Sequence, residues 1–129
     1  MSVYSKMYIA VLDEAPDYMV PTLVAHSILA AHLKFQDKEI YQNWLTDSFR
    51  KVTLKVNRKE FDKIRSTLVC HEGHENTICN AQPSCLIIMP VQSDSVPNVL
   101  KYGKLWKPEY KLADLQITFD VKTDKSKGV

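Results

Sequence analysis

Two short runs of consecutive apolar residues constrain the fold of this chain more than any other feature of its sequence. MYIAVL occupies residues 7–12 and CLIIM occupies residues 85–89, and Pro90 stops the second run. Short apolar runs that are bounded in this way are typical of strands buried on both faces. The sheet that contains them therefore needs a covering layer on each side.

The segments between the two runs predict the covering helices. Residues 23–35 contain no Gly or Pro and are rich in Leu and Ala, and Pro21 is suited to the first turn of this helix. Residues 38–49 carry apolar side chains at helical spacing. Asn57 and Glu60 form a variant of the capping box and predict the start of a third helix.

The order of strands and helices predicts an α/β fold with three layers. Residues 50–56 alternate apolar and polar side chains, as expected for a strand with one wet face. Helices between strands act as crossovers, which join parallel neighbours. We expect a mixed, mostly parallel four-stranded sheet with helices on both faces, and a short last helix through residues 99–104. The predicted strands are residues 7–12, 50–56, 67–70 and 85–89.

The length of 129 residues is that of a single domain. We assign residues 1–110 to this domain and residues 111–129 to a C-terminal extension with a frayed end. Apolar side chains alternate with polar ones in the extension, which predicts an extra strand with one buried face. This strand adds to the sheet of its own chain or pairs across a homodimer. Its apolar residues are Leu115, Ile117, Phe119 and Val121.

The charge balance excludes a dedicated nucleic-acid packaging protein. The chain has 17 Lys and Arg against 15 Asp and Glu, a net charge of +2. No apolar run approaches the length of a membrane span, and the first residues lack the pattern of an export signal. We therefore expect a cytoplasmic protein that does not enter the membrane.

The cysteines are expected to be reduced thiols, because three is an odd number and no export signal precedes them. Cys and His near residue 71 raise the question of zinc, but the sequence has no Cys-x-x-Cys pair. Gly-rich phosphate loops and serine-nucleophile elbows are also missing from the sequence. The sequence therefore predicts no metal and no cofactor.

Five stretches of the sequence together resemble the type 2 peptidyl-tRNA hydrolase family. They are KMYIAVL, VAHSILAAHLKF, RKVTLKVNRKEFDKI, TLVCHEGHENTICNAQPSCLIIMP and SVPNVLKYGKLW, and they span residues 6–106. The likeness lies in pattern and order more than in identical residues. It implies the family's fold, hydrolysis of the ester that links a peptide to the 3′ end of tRNA, and tRNA as the partner.

The resemblance also implies which residues form the site. His26 matches a first-helix position of the family, and the family's lysine falls on Thr22 in one register and on Met19 in the other. The loop before the last strand places His71 where the family has Asp and His74 where it has Arg. The catalytic residues implied are His26, His71 and Thr77; the substrate-binding residues implied are Thr22, Gly73 and His74.

Two lysines are further candidates for substrate binding. Lys55 and Lys59 belong to a local basic cluster that would contact phosphates, with ordinary surface solvation as the alternative interpretation.

The resemblance leads to the interpretation of the chain as a hydrolase of a tRNA-linked ester. The alternative is a catalytically inactive binding or regulatory module on the same fold that recognises RNA, a nucleotide or a protein. The resemblance also implies that His26 and His71 converge on one cleft at the end of the sheet.

Overall fold

A strand through the middle of the sheet organises the structure, a computed structural model that describes residues 2–109. The strands are β1 (Ser5–Leu12), β2 (Arg50–Val56), β3 (Cys70–Gly73), β4 (Cys85–Ile88), β5 (Val91–Gln92) and β6 (Lys104–Leu105). The helices are α1 (Val20–Phe35), α2 (Glu39–Thr46) and α3 (Arg58–Thr67). Single 3-10 turns precede α1, precede β4 and lie between β5 and β6.

The prediction of a mostly parallel, four-stranded sheet is wrong. The sheet has six strands in the order β3-β4-β1-β2-β6, and β5 pairs with β1 beside this path. Within residues 2–109, β1 and β2 form the one parallel pair, and the other four pairings are antiparallel.

The position of β4 explains this difference. The three strands joined by helices, β1, β2 and β3, point in the same direction, as crossovers require. However, β4 follows β3 through a loop without a helical crossover, returns in the opposite direction and inserts between β1 and β3. The same-direction strands are therefore separated, and antiparallel contacts dominate the sheet.

Two other boundaries differ from the sequence expectations. The strand predicted over residues 67–70 begins at Cys70, because α3 continues to Thr67 and Leu68 caps it in an extended conformation. The helix predicted through residues 99–104 is a single turn, Asn98–Leu100, followed by β6. The predicted C-terminal strand lies outside the described residues.

The helices form one layer on each side of the sheet. Helices α1 and α2 cover the face that carries Met7, Ile9 and Val11 of β1. Helix α3 covers the opposite face, where Ala10 and Leu12 of the same strand are buried. None of the helices between residues 2 and 109 is both long and apolar enough to cross a membrane.

Helix α1 approaches β3 so closely that only glycine fits at residue 73. A Cβ atom placed on Gly73 would lie 1.9 Å from Ser27 Oγ and 2.5 Å from Ser27 Cβ. Ser27 itself is completely buried in α1. The small side chains at both positions therefore set the spacing between helix and strand.

We predict that Gly73→Ala destabilises the fold by about 1–3 kcal/mol, because the added methyl group overpacks this contact. Adding Ser27→Gly removes the clashing atoms, so the double variant should recover much of the loss despite about 1 kcal/mol for a glycine inside a helix. Urea unfolding measures both effects. Combining Gly73→Ala with Ala30→Gly gives the matched control, since it carries the same helix cost without opening space. Equal stability of the two double variants would contradict the prediction.

The capping box predicted at the start of α3 is confirmed. The Asn57 side chain accepts a hydrogen bond from Glu60 N at 2.8 Å, and Glu60 Oε1 accepts one from Asn57 N at 2.8 Å. These bonds satisfy two backbone donors that the first turn of a helix leaves free.

We predict that Asn57→Ala lowers the free energy of unfolding by about 1 kcal/mol, because the first-turn amide loses its acceptor. Asn57→Asp keeps an acceptor at the same place and should retain most of the stability. Chemical denaturation of both variants measures the difference. Equal losses in the two would show that the side-chain acceptor at residue 57 does not stabilise the helix.

Candidate functional site

His26 and Glu75 form a histidine–carboxylate pair between α1 and the loop after β3. His26 Nδ1 lies 3.7 Å from Glu75 Oε1, and the histidine side chain is 59% exposed while the glutamate is 19% exposed. This distance is longer than a hydrogen bond, so the carboxylate acts on the imidazole through its charge. An exposed imidazole with a carboxylate beside it is an arrangement that general acid–base chemistry can use.

His71 lies in the same neighbourhood, on the side of β3 that faces α1. It shares this side with Gly73, whose contact with Ser27 is next to His26 in the sequence. Partial burial lowers the pKa of His71, and the positive charges of Lys34, His26 and His74 lower this pKa further, against the opposing effect of Glu72. His71 is therefore a neutral imidazole at neutral pH, and its convergence with His26 on one cleft stays a prediction.

Lys34 places a permanent positive charge beside the histidines. It lies two helical turns after His26 on the same side of α1, and its Nζ donates a hydrogen bond of 3.4 Å to the carbonyl oxygen of Cys70. An exposed cation at this position can attract a phosphate or a developing oxyanion. Lys34 thus contributes a positive charge that does not depend on the protonation of a histidine.

The other residues predicted for the site from the resemblance contribute less to its geometry. His74 is exposed and close enough to influence His71. Thr77 is exposed in the turn after Glu75, and Thr22 is exposed one turn before His26. Gly73 is buried and serves the packing of α1.

The two lysines predicted to bind phosphates do not lie together. Lys55 is on the α1 and α2 side of the sheet, where its Nζ lies 5.5 Å from the Trp106 ring centroid and donates a 2.9 Å hydrogen bond to the Lys107 carbonyl oxygen. Lys59 is exposed in the first turn of α3, on the opposite side. A single phosphate group cannot contact both side chains.

Metal ligands and cysteine thiols are the other groups that could take part in chemistry near this site. Among residues 2–109, no group of three His, Cys, Asp or Glu side chains is arranged to hold a metal ion. The cysteines of this region are free thiols. Burial raises the pKa of Cys85 to about 12, despite the nearby Ser27 hydroxyl, so this thiol stays protonated and unreactive.

Sequence reasoning identified the three histidines but missed Glu75 and Lys34. Lys34 follows His26 by eight residues, a spacing that returns to the same side of a helix, so helical periodicity could have found it. Glu75 had no comparable signal. Its position depends on how the loop after β3 folds against α1, which is a contact over 49 residues of sequence.

Comparison with known proteins finds no matching protein family and no matching curated protein.

We predict that His71 makes the fold sensitive to mild acid. An unfolded histidine takes up its proton near pH 6.5, whereas the lowered pKa of His71 delays protonation of the folded chain. Between these two values the unfolded chain binds more protons, so the contribution of His71 to stability is complete above pH 6.5 and is lost as the pH falls through the folded pKa.

Denaturant unfolding between pH 7.5 and pH 5 measures this effect when the wild-type chain is compared with His71→Gln, which cannot titrate. The wild-type chain should lose more stability over the range about pH 7.5 to 5 than the variant does. Parallel pH dependences would rule out a lowered pKa at His71.

Proposed function

We propose that the chain hydrolyses an ester linked to the 3′ end of tRNA, with His26 as the general base. The observation that carries this function is the position of Glu75 Oε1, 3.7 Å from His26 Nδ1, on an exposed histidine. The sequence resemblance to the type 2 peptidyl-tRNA hydrolases supports the choice of a tRNA-linked ester over other esters. The substrate is a cytoplasmic molecule, so the cytoplasm is the proposed location.

His26 Nε2 accepts a proton from water while the water oxygen attacks the ester carbonyl. The negative charge of Glu75 stabilises the imidazolium that forms. When the tetrahedral intermediate collapses, the bond to the ribose oxygen breaks and the same imidazolium protonates that oxygen. The products are tRNA with a free hydroxyl group and a carboxylic acid, which releases its proton to water and becomes a carboxylate.

The positive charge of Lys34 supports both binding and catalysis. Lys34 and His26 both lie near His71, so the lysine adds a positive charge that can attract the phosphates of a substrate bound at His26. The exposed position of His26 suits a macromolecular substrate, because a tRNA end can reach the imidazole from solvent.

We predict that His26→Ala lowers kcat/KM for N-acetyl-aminoacyl-tRNA by about 100-fold or more, the usual contribution of a general base. The assay follows release of the acyl group by the full-length chain. Leu33→Ala is the matched control, because it removes another exposed side chain from α1 and should leave the rate unchanged. A wild-type rate no higher than that of buffer, or a His26→Ala rate equal to wild type, would refute the proposed activity.

Glu75→Gln tests the carboxylate separately. Loss of the negative charge should reduce kcat with little change in KM, because Glu75 acts on the imidazolium that forms during the reaction and not on the substrate. A kcat equal to that of the wild-type chain would remove this role from Glu75.

A catalytically inactive tRNA-binding module is the second candidate. The exposed Thr22 occupies the place of the family's lysine in one register, and this substitution favours binding without hydrolysis. Binding of uncharged tRNA that weakens steeply with salt, together with no ester hydrolysis, would favour this candidate.

A further inference from the structure

An apolar groove lies on the flank of α1 that faces away from His26. The groove runs between α1 and α2, is open to solvent and has a volume of about 410 Å³. Ala25 and Leu29 line it from α1, and Tyr41 and Trp44 line it from α2. Positions 25 and 29 are one turn apart on the same side of the helix, and His26 lies on a different side. The groove is therefore a separate site from His26 and His71.

One end of the groove carries a cation that is held between aromatic rings. Lys51 Nζ lies 3.2 Å from the ring centroid of Phe49 and 5.2 Å from that of Trp44, and it donates a 2.8 Å hydrogen bond to the Phe49 carbonyl oxygen. None of the ion pairs among residues 2–109 includes Lys51. Partial burial lowers the pKa of this lysine, as expected for a charge that lacks full solvation.

Phe49 adopts an unusual backbone conformation at this end. Its φ is 55°, a left-handed value that non-glycine residues rarely adopt, and its backbone N–H donates a 2.9 Å hydrogen bond to the Trp44 carbonyl oxygen. The Phe49 ring remains 52% exposed and lies 5.2 Å from the Trp44 ring between centroids. This strained backbone conformation thus places the exposed Phe49 ring against Trp44 and Lys51.

A second polar group lies on the groove wall. His32 Nδ1 and the Tyr41 hydroxyl are hydrogen-bonded at 2.8 Å, and their rings are tilted at 55°. Burial raises the pKa of Tyr41, so its hydroxyl stays protonated at neutral pH. The groove therefore combines aromatic walls with one cation at its end and one neutral polar pair on its wall.

We propose that this groove binds a small aromatic carboxylate, with its ring against the exposed side chains of Leu29 and Phe49 and its carboxylate on Lys51. The cavity volume lies within the range of roughly 300–1,000 Å³ that is usual for ligand sites, and apolar walls with few polar groups are also typical of them. The charge complementarity selects the ligand class. A single ammonium group matches a singly charged carboxylate, and the aromatic walls favour a flat ring over a flexible chain.

Calorimetric titration of the full-length chain with 2-naphthoate tests the proposal. We expect saturable binding, and about tenfold weaker binding for 2-naphthamide, which keeps the rings and lacks the charge. Lys51→Gln should weaken 2-naphthoate binding by a similar factor and should affect 2-naphthamide little. Lys63→Gln is the matched control, because it removes a lysine from α3 on the other side of the sheet.

Ala25→Leu tests the cavity independently of charge. Leucine is a good helix former and its side chain would fill the groove, so the variant should fold and lose affinity for both naphthalene compounds. Amide NMR spectra of each variant establish that the fold is intact and locate the ligand-induced shifts.

The proposal is overturned if 2-naphthoate does not bind at millimolar concentration, if the carboxylate and the amide bind equally well, or if Lys51→Gln has no effect. Sedimentation analysis adds a further outcome. Self-association that Ala25→Leu abolishes and 2-naphthoate fails to displace would assign the groove to a second copy of the chain.

Discussion

The burial of β1 on both faces is the constraint on which the rest of the structure depends. Met7, Ala10, Val11 and Leu12 of this strand are completely buried, and the strand pairs with β2, β4 and β5. Because side chains alternate along a strand, these residues contribute to both hydrophobic cores. Helices α1 and α2 on one side and α3 on the other are therefore required by the same short segment of sequence.

Local pattern was sufficient for the longer elements, but it missed the two-residue strands β5 and β6 and did not determine how the strands pair. The strand over Arg50–Val56 and the cap at Asn57 were predictable, because their alternation and hydrogen bonds involve near neighbours. The insertion of β4 beside β1 was not, since it is decided by contacts between residues more than 70 positions apart, such as Val11 and Cys85. β3 is an edge strand that contains polar residues such as His71, so the pattern of apolar residues did not predict its extent.

The same division between local and long-range contacts applies to the candidate site. The histidines were visible in the sequence, but their partners depend on the distance between α1 and β3. That distance is short because Ser27 faces Gly73, where neither position leaves room for a larger side chain. The close approach brings the loop after β3 to the helix and places Glu75 next to His26. A packing requirement between two small residues thus determines the electrostatics of the site.

Helix α1 separates two environments because each of its sides has a different neighbour. The side with Ser27 and Ala31 is buried against the sheet, and these small side chains let the helix lie close to it. The side with His26 faces β3, whereas the side with Leu29 faces α2. The body of α1 stands between His26 and the groove, on one side of the sheet, so a small ligand in the groove does not touch His26. Any effect of one site on the other must therefore act through a displacement of α1, which the contact between Ser27 and Gly73 resists.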